Sequence, residues 1–246
     1  MQKLKPLFSN PHHTGTQSDV QHCLRLNDLE EVGDGTHYLD FEMLGLFSFR
    51  DWTVPEGIRF WMDFLSFLGL SPDTVTLHPD CKDWVSFYDD YSVKIEWDPE
   101  CLWSDGEIGG YCTEFYIQGV EVGNIVNPLG HCLDCGFGSE RLEYFYQQKK
   151  GHKVSSPSGS SVLERTINVL LESGVIPSNQ KQGYVLRRLI RQQYRSQNPL
   201  PSHPCVNKEI ERLQKIQSTL PRLKQKNPHQ TVEWFWETHG IHPDDW

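Results

Sequence analysis

The sequence predicts an α+β fold in two parts, an antiparallel sheet flanked by helices and then a helical domain. Three observations lead there. Short apolar runs separated by glycine- and proline-containing turns occupy 21–49 and 120–138, the pattern of paired strands. From Ser161 onward apolar residues recur at helical spacing. The charge also reverses along the chain: residues 1–146 hold 8 Lys and Arg against 25 Asp and Glu, a net of −17, whereas residues 147–230 hold 15 against 4, a net of +11. An acidic domain and a basic one, the latter able to neutralise phosphates, account for that asymmetry.

Residues 21–49 read as a short strand, a polar loop with Gly33 and Gly35, and a second strand through Asp40, Phe41 and Glu42. Arg25 ends the first strand, so an antiparallel pair sets its guanidinium beside the loop, where it can hold a phosphate bidentately. Residues 103–113, WSDGEIGGYCT, give a third element. Next, the stretch 120–141 joins an apolar strand, Asp134 between Leu133 and Cys135, and a glycine turn ending in Arg141. A carboxylate on an interior strand is costly unless a cation pairs with it. Gly136 and Gly138 admit a ligand close to the backbone, and Arg141 lies in the first turn of a helix predicted over 139–148, whose N-terminus favours anions. Such residues suit a ligand carrying both a cation and phosphates. Taken alone, they fit a glycine turn with a surface arginine equally well.

The first domain is expected over 1–148, a linker over 149–161 (KKGHKVSSPSGSS), and a helical domain over 162–246. Ser161 and Glu164 have capping-box spacing, and Leu163, Ile167, Leu170 and Leu171 form one face before Gly174 stops the helix. A second helix is predicted from about Gln180 to Arg195, with Arg187, Arg191 and Arg195 on one stripe. A third runs from about Val206 to Leu220, ended by Pro221.

No run of eighteen apolar residues is present, and the first thirteen residues lack the apolar core of a secretion leader. Seven cysteines, an odd number without framework spacing, fit a reducing compartment, so a cytoplasmic protein with no membrane partner is expected. Cys132 and Cys135 form a CxxC without a second pair or a His pair nearby, and no zinc is expected in the protein.

Together, the segment around Arg25, the stretch 103–113 and LDCGFGSERLE at 133–143 closely resemble the class II aminoacyl-tRNA synthetase core, in its alanyl branch. FEMLG followed by FSF, and GNIV, are particular to that branch. The resemblance implies the family's sheet and a ligase that activates alanine with ATP and Mg2+ and transfers it to the 3′ end of tRNA. It places Arg25 on the α-phosphate and Arg141 on the γ-phosphate. Phe41 is the candidate to stack on adenine, and Glu114 or Glu121 to hold magnesium. Trp103, Val126 and Gly136 fall where the family encloses the alanine methyl, Asp134 where it pairs with the α-ammonium, and Asn124 beside the substrate. No protein nucleophile is needed, because substrate groups attack in both steps.

The segment VIPSNQKQGYVLRRLIRQ (175–192) resembles the start of the family's tRNA-recognition domain, and WFWETHGIHPDD (234–245) resembles a later stretch of it. In the family an Asn and an Asp there read a G·U pair of the acceptor stem. Asn179 matches the first, and Glu237 replaces the second, with Arg187, Arg188 and Arg191 as candidate phosphate contacts. Other departures are Thr36 in place of a second arginine after Arg25, with His37 next to it, and Asn127–Pro128 in place of an aromatic. Only six residues precede Leu7, where the family has a long helix, so a monomer is expected, and neither an editing nor an oligomerisation domain is expected after Trp246. Two other readings stand beside the ligase: a paralogue loading alanine onto an acceptor other than tRNA, and a non-catalytic tRNA-binding paralogue.

Overall fold

The computed structural model describes residues 4–25, 37–152 and 159–243. The chain forms two compact units that divide at residues 156 and 157. Among the described residues no helix is long and apolar enough to cross a membrane.

The first unit is built on one eight-stranded sheet. In chain order the strands are β1 (Gly15–Leu24), β2 (Asp40–Phe49), β3 (Thr74–Leu77), β4 (Lys94–Trp97), β5 (Leu102–Ser104), β6 (Gly109–Ile117), β7 (Val120–Val126) and β8 (Cys132–Gly138). Their order is β1-β2-β8-β7-β6-β3-β4, with β5 paired to β6 off this path. Every pair is antiparallel except β3 with β4. This is the sheet the sequence predicts, with β1 longer than the short strand expected before Arg25. The polar loop with Gly33, Gly35 and Thr36 lies outside the described residues.

Alternation divides the sheet into two chemically different faces. The registers Leu46↔Cys135, Leu44↔Phe137, Ile125↔Cys135 and Phe115↔Gly123 assemble the back face. There α2 (Val54–Phe67) buries Ile58, Trp61 and Leu65 in one core with Phe115, Ile125, Leu133 and Phe137. Trp61 stacks on Phe137 with ring centroids 3.9 Å apart and planes at 16°. Thr53 and Glu56 close a capping box at the α2 N-terminus. Leu142 and Phe145 of α3 (Ser139–Lys149) join the same core. With the back face sealed by apolar packing, Glu114 of β6, Asn124 of β7 and Asp134 of β8 are left on the front. At one end of that face Phe8 of α1 (Lys5–Ser9) packs with Phe47 and Phe49.

The second unit is helical: α4 (Gly159–Glu172), α5 (Lys181–Arg195), α6 (Pro204–Lys226) and α7 (Val232–His239). Leu163, Ile167 and Leu170 are buried, and Gly174 takes a left-handed φ of +77° after α4. Three boundaries differ from expectation. α4 begins at Gly159, inside the stretch read as linker, so Ser161 sits within the helix and does not cap it. α6 passes through Pro221 and ends at Lys226. Proline cannot donate to the turn before it, and there Ser218 and Thr219 turn their hydroxyls back onto the Lys215 carbonyl, at 2.9 and 2.8 Å. Finally, Arg191 is only 2% exposed, so the predicted basic stripe of α5 is not a solvent face.

Candidate active site

Cross-strand pairing puts the front-face residues in rows, because directly opposed residues share a face. Met43 opposes Gly138, Gly45 opposes Gly136, and Phe47 opposes Asp134. On the other side of β8, Asn124 opposes Gly136 and Val126 opposes Asp134. One strand further, Glu114 opposes Asn124 and Cys112 opposes Val126. Five sequence candidates, Glu114, Asn124, Val126, Asp134 and Gly136, therefore lie on one face.

A cleft opens on this face, lined by Arg25, Tyr38, Phe41, Met43, Glu121, Val122, Gly123, Asn124, Gly136, Gly138, Glu140 and Arg141. It gathers Arg25, Phe41, Glu121, Asn124, Gly136 and Arg141 from segments up to 116 residues apart. Arg25 stands at the β1 end, its N–H donating to the Leu39 carbonyl at 2.8 Å. Arg141, in the first turn of α3, donates from Nη1 to the Glu121 carbonyl at 2.6 Å and lies 3.7 Å from the Glu121 carboxylate. Two guanidiniums beside an aromatic face form a site for an anion attached to a flat ring. The Glu140 carboxylate accepts from the Glu42 N–H with both oxygens at 3.1 Å, which ties the start of α3 to β2.

Gly136 keeps the floor of the cleft low. A Cβ there would stand 3.1 Å from the Met43 sulfur. Asp134 and Val126 continue the same rows but do not line the cleft itself. Burial pushes the Asp134 carboxyl up to about 6. Trp103, half-buried on β5, packs against the cluster of Cys101, Cys112 and Val126. Glu114 does not line the cleft, and its Oε2 accepts from the Thr76 and Tyr116 hydroxyls at 3.1 and 2.8 Å. Glu121, with a carboxylate at the cleft beside Arg141, suits a hard cation such as magnesium better.

Tyr38, Met43, Val122, Gly123 and Glu140 are lining residues that the sequence reading left out. For Met43 a signal existed, since it follows Phe41 by two on one strand and must share its face. Cys132 and Cys135 fall on opposite faces, packing in separate clusters, so this CxxC does not bring two thiols together.

In the second unit Asn179 is exposed and its Oδ1 accepts from Arg187 Nη1. Arg187 Nε also meets Glu209 at 3.2 Å, and Glu209, 4% exposed, accepts from Arg212 at 2.6 Å. Arg188 is half-buried and Glu237 exposed on α7. The more open basic surface is a groove along α6, where Arg212, Lys215, Arg222 and Lys226 join His239 around Ile216 and Leu223. Its spacing is legible in the sequence, but ending the helix at Pro221 divides it.

A sequence model of the family described as tRNA synthetases class II (A) matches residues 1–96. The alanine–tRNA ligase of Desulfitobacterium hafniense is 28% identical over 264 residues, covering 79% of this chain and 30% of its own length. That of Psychromonas ingrahamii is 30% identical over 256 residues, covering 74% of this chain and 29% of its own. Over these stretches the chain is similar to the alanyl branch of the class II tRNA synthetases. It spans about 30% of the length of these relatives. Among solved structures, apo histidyl-tRNA synthetase of S. aureus aligns with a TM-score of 0.41 at 12% identity, over 63% of this chain and 49% of its own.

Proposed function

We propose that this chain is an alanine–tRNA ligase, a cytoplasmic enzyme that forms alanyl-adenylate from alanine and ATP and transfers alanine to the 3′ end of tRNA. The observation that carries this reading is one sheet face holding two guanidiniums, Arg25 and Arg141, beside Phe41, in line with a buried carboxylate, Asp134. In the first step the alanine carboxylate attacks the α-phosphorus and pyrophosphate leaves. Arg25 stabilises the charge that develops on the α-phosphate, and Arg141 holds the γ-phosphate. Glu121 would hold magnesium, which would supply positive charge to the leaving pyrophosphate. Asp134 accepts from the α-ammonium, and Trp103, Val126 and Gly136 leave room for a methyl. In the second step the terminal ribose hydroxyl attacks the carbonyl of the adenylate and AMP leaves.

The tRNA acceptor stem belongs to the helical unit in this reading. Asn179 and Glu237 address the base pair, Arg188 and the α6 groove the backbone. Arg187 holds Asn179, and buried Arg191 supports the helix core. A monomer is sufficient for this arrangement.

The test is incorporation of labelled alanine into acid-precipitable RNA with ATP, magnesium and total tRNA. Labelling that disappears with Arg25→Ala supports the ligase. Alanine-dependent pyrophosphate exchange without RNA labelling points to another acceptor, and tRNA binding with neither activity points to a non-catalytic paralogue.

A further inference from the structure

We propose that Cys101, Cys112 and Glu114 bind a thiophilic divalent cation of the zinc class, beside the front-face cleft. Among the described residues these three place two sulfurs and a carboxylate oxygen all within 4.8 Å of one another. The β5–β6 hairpin brings them together. Its register sets Leu102 opposite Tyr111, and the Cys112 N–H donates to the Cys101 carbonyl at 3.0 Å, so thiols eleven residues apart in sequence become neighbours. Glu114, two residues along β6, shares the Cys112 face.

The donor set decides the class of ion. Two thiolates and one carboxylate make a borderline-soft site, matched to zinc and poorly matched to magnesium, which takes oxygen ligands. Three protein ligands also leave a fourth position open. The surroundings are those of a held ligand set: both cysteines are buried, at 0% and 3% exposure, and both hydroxyls that reach Glu114, from Thr76 and Tyr116, bond the same oxygen, Oε2. Neither bond uses Oε1, and the two hydroxyls fix the orientation of the carboxylate beside the sulfurs. Thr76 also accepts from the Cys101 thiol at 2.9 Å. Binding a dication releases two thiol protons to solvent, leaving the ion with two thiolates and the carboxylate.

The site has a structural consequence for its neighbour. β5 is three residues long, pairs only with β6 among the described residues, and carries Trp103, which packs against the cluster that holds both cysteines. An ion joining Cys101 to Cys112 and Glu114 fixes this short strand and the indole on it. Metal binding as such does not depend on the alanine reading.

The metal-free full chain, kept reduced, is titrated with cobalt(II) and then with zinc. One equivalent is expected to bind, with a thiolate-to-cobalt charge-transfer band that zinc abolishes. Cys101→Ser and Cys112→Ser each remove the band, Glu114→Gln weakens binding, Thr76→Val weakens it about tenfold or more, and Cys132→Ser leaves it unchanged. X-ray absorption of the zinc-loaded wild type, which needs no variant to fold, is expected to show two sulfurs at about 2.3 Å and lighter atoms at about 2.0–2.2 Å. The proposal is overturned if the wild type takes up neither ion, if folded Cys101→Ser and Cys112→Ser bind as the wild type does, or if intact mass shows Cys101 and Cys112 joined as a disulfide.

Discussion

A carboxyl raised to about 6 by burial, as at Asp134, is charged at pH 7 against its environment. Its folded pKa lies above the unfolded value, so the native state binds the extra proton between about pH 4 and 6. Stability therefore falls as pH rises through that window, and at pH 7 the cost is roughly 2–3 kcal/mol. Asp134→Asn is expected to stabilise the free protein by about 1–3 kcal/mol at pH 7 in urea unfolding, with the two curves meeting near pH 4. An identical pH dependence for the variant would show that the strain lies elsewhere. A ligand ammonium offsets the same cost, which is why this residue reads as a binding group and not as core. The proposed methyl pocket sets a second expectation. An apolar wall rejects one added hydroxyl only about 100-fold and one missing methyl by about 1–3 kcal/mol. Pyrophosphate exchange with serine and glycine should therefore be measurable, and discrimination above roughly 10⁴ against both would remove Trp103, Val126 and Gly136 from that role.

Between the 175–180 segment and α5 the packing is close enough that one glycine decides it. A Cβ on Gly183 would meet the Ile176 carbonyl oxygen at 2.5 Å, and the Ser178 N–H donates to the Gly183 carbonyl at 3.0 Å. Gly183→Ala must push this segment, and Asn179 with it, away from Arg187. A loss of about 1–3 kcal/mol in stability is expected, along with reduced tRNA charging at unchanged adenylate formation. Charging equal to wild type would mean that the position of Asn179 does not matter. Element by element, the first domain was the more legible. Strand alternation alone puts Asn124 with Val126 and Asp134 with Gly136, and the helix over 139–148 differs from α3 by one residue. The misses have local causes. Pro221 reads as a stop because its missing donor is costly, yet α6 continues through it to Lys226. Arg191 reads as surface because a stripe gives no information about the partner helix. Cys101 and Cys112 carry no spacing signal, since only the hairpin register pairs them.

For the whole molecule the reversal of charge is the largest feature, and its meaning depends on where the positive charge lies. In the second unit several basic side chains are committed inward: Arg191 is buried, and Arg187 and Arg212 share the buried Glu209. Lys215, Arg222 and Lys226 instead line a groove on α6 whose walls also include Ile216, Leu223 and Ile241. A row of flexible cations over an apolar floor positions a phosphate backbone without reading sequence. On that basis the salt dependence of tRNA binding, not its sequence preference, should respond to this groove. Each of Lys215→Ala, Arg222→Ala and Lys226→Ala is expected to lower the slope of log K against log salt by about 1 while leaving the rank order of tRNA variants unchanged. Fluorescence titrations at several salt concentrations measure both quantities together. Slopes that stay at the wild-type value in all three would move the RNA track off α6, leaving Arg188 and Arg195 of α5 as the cations to test, and altered rank order would make the groove a reader of sequence.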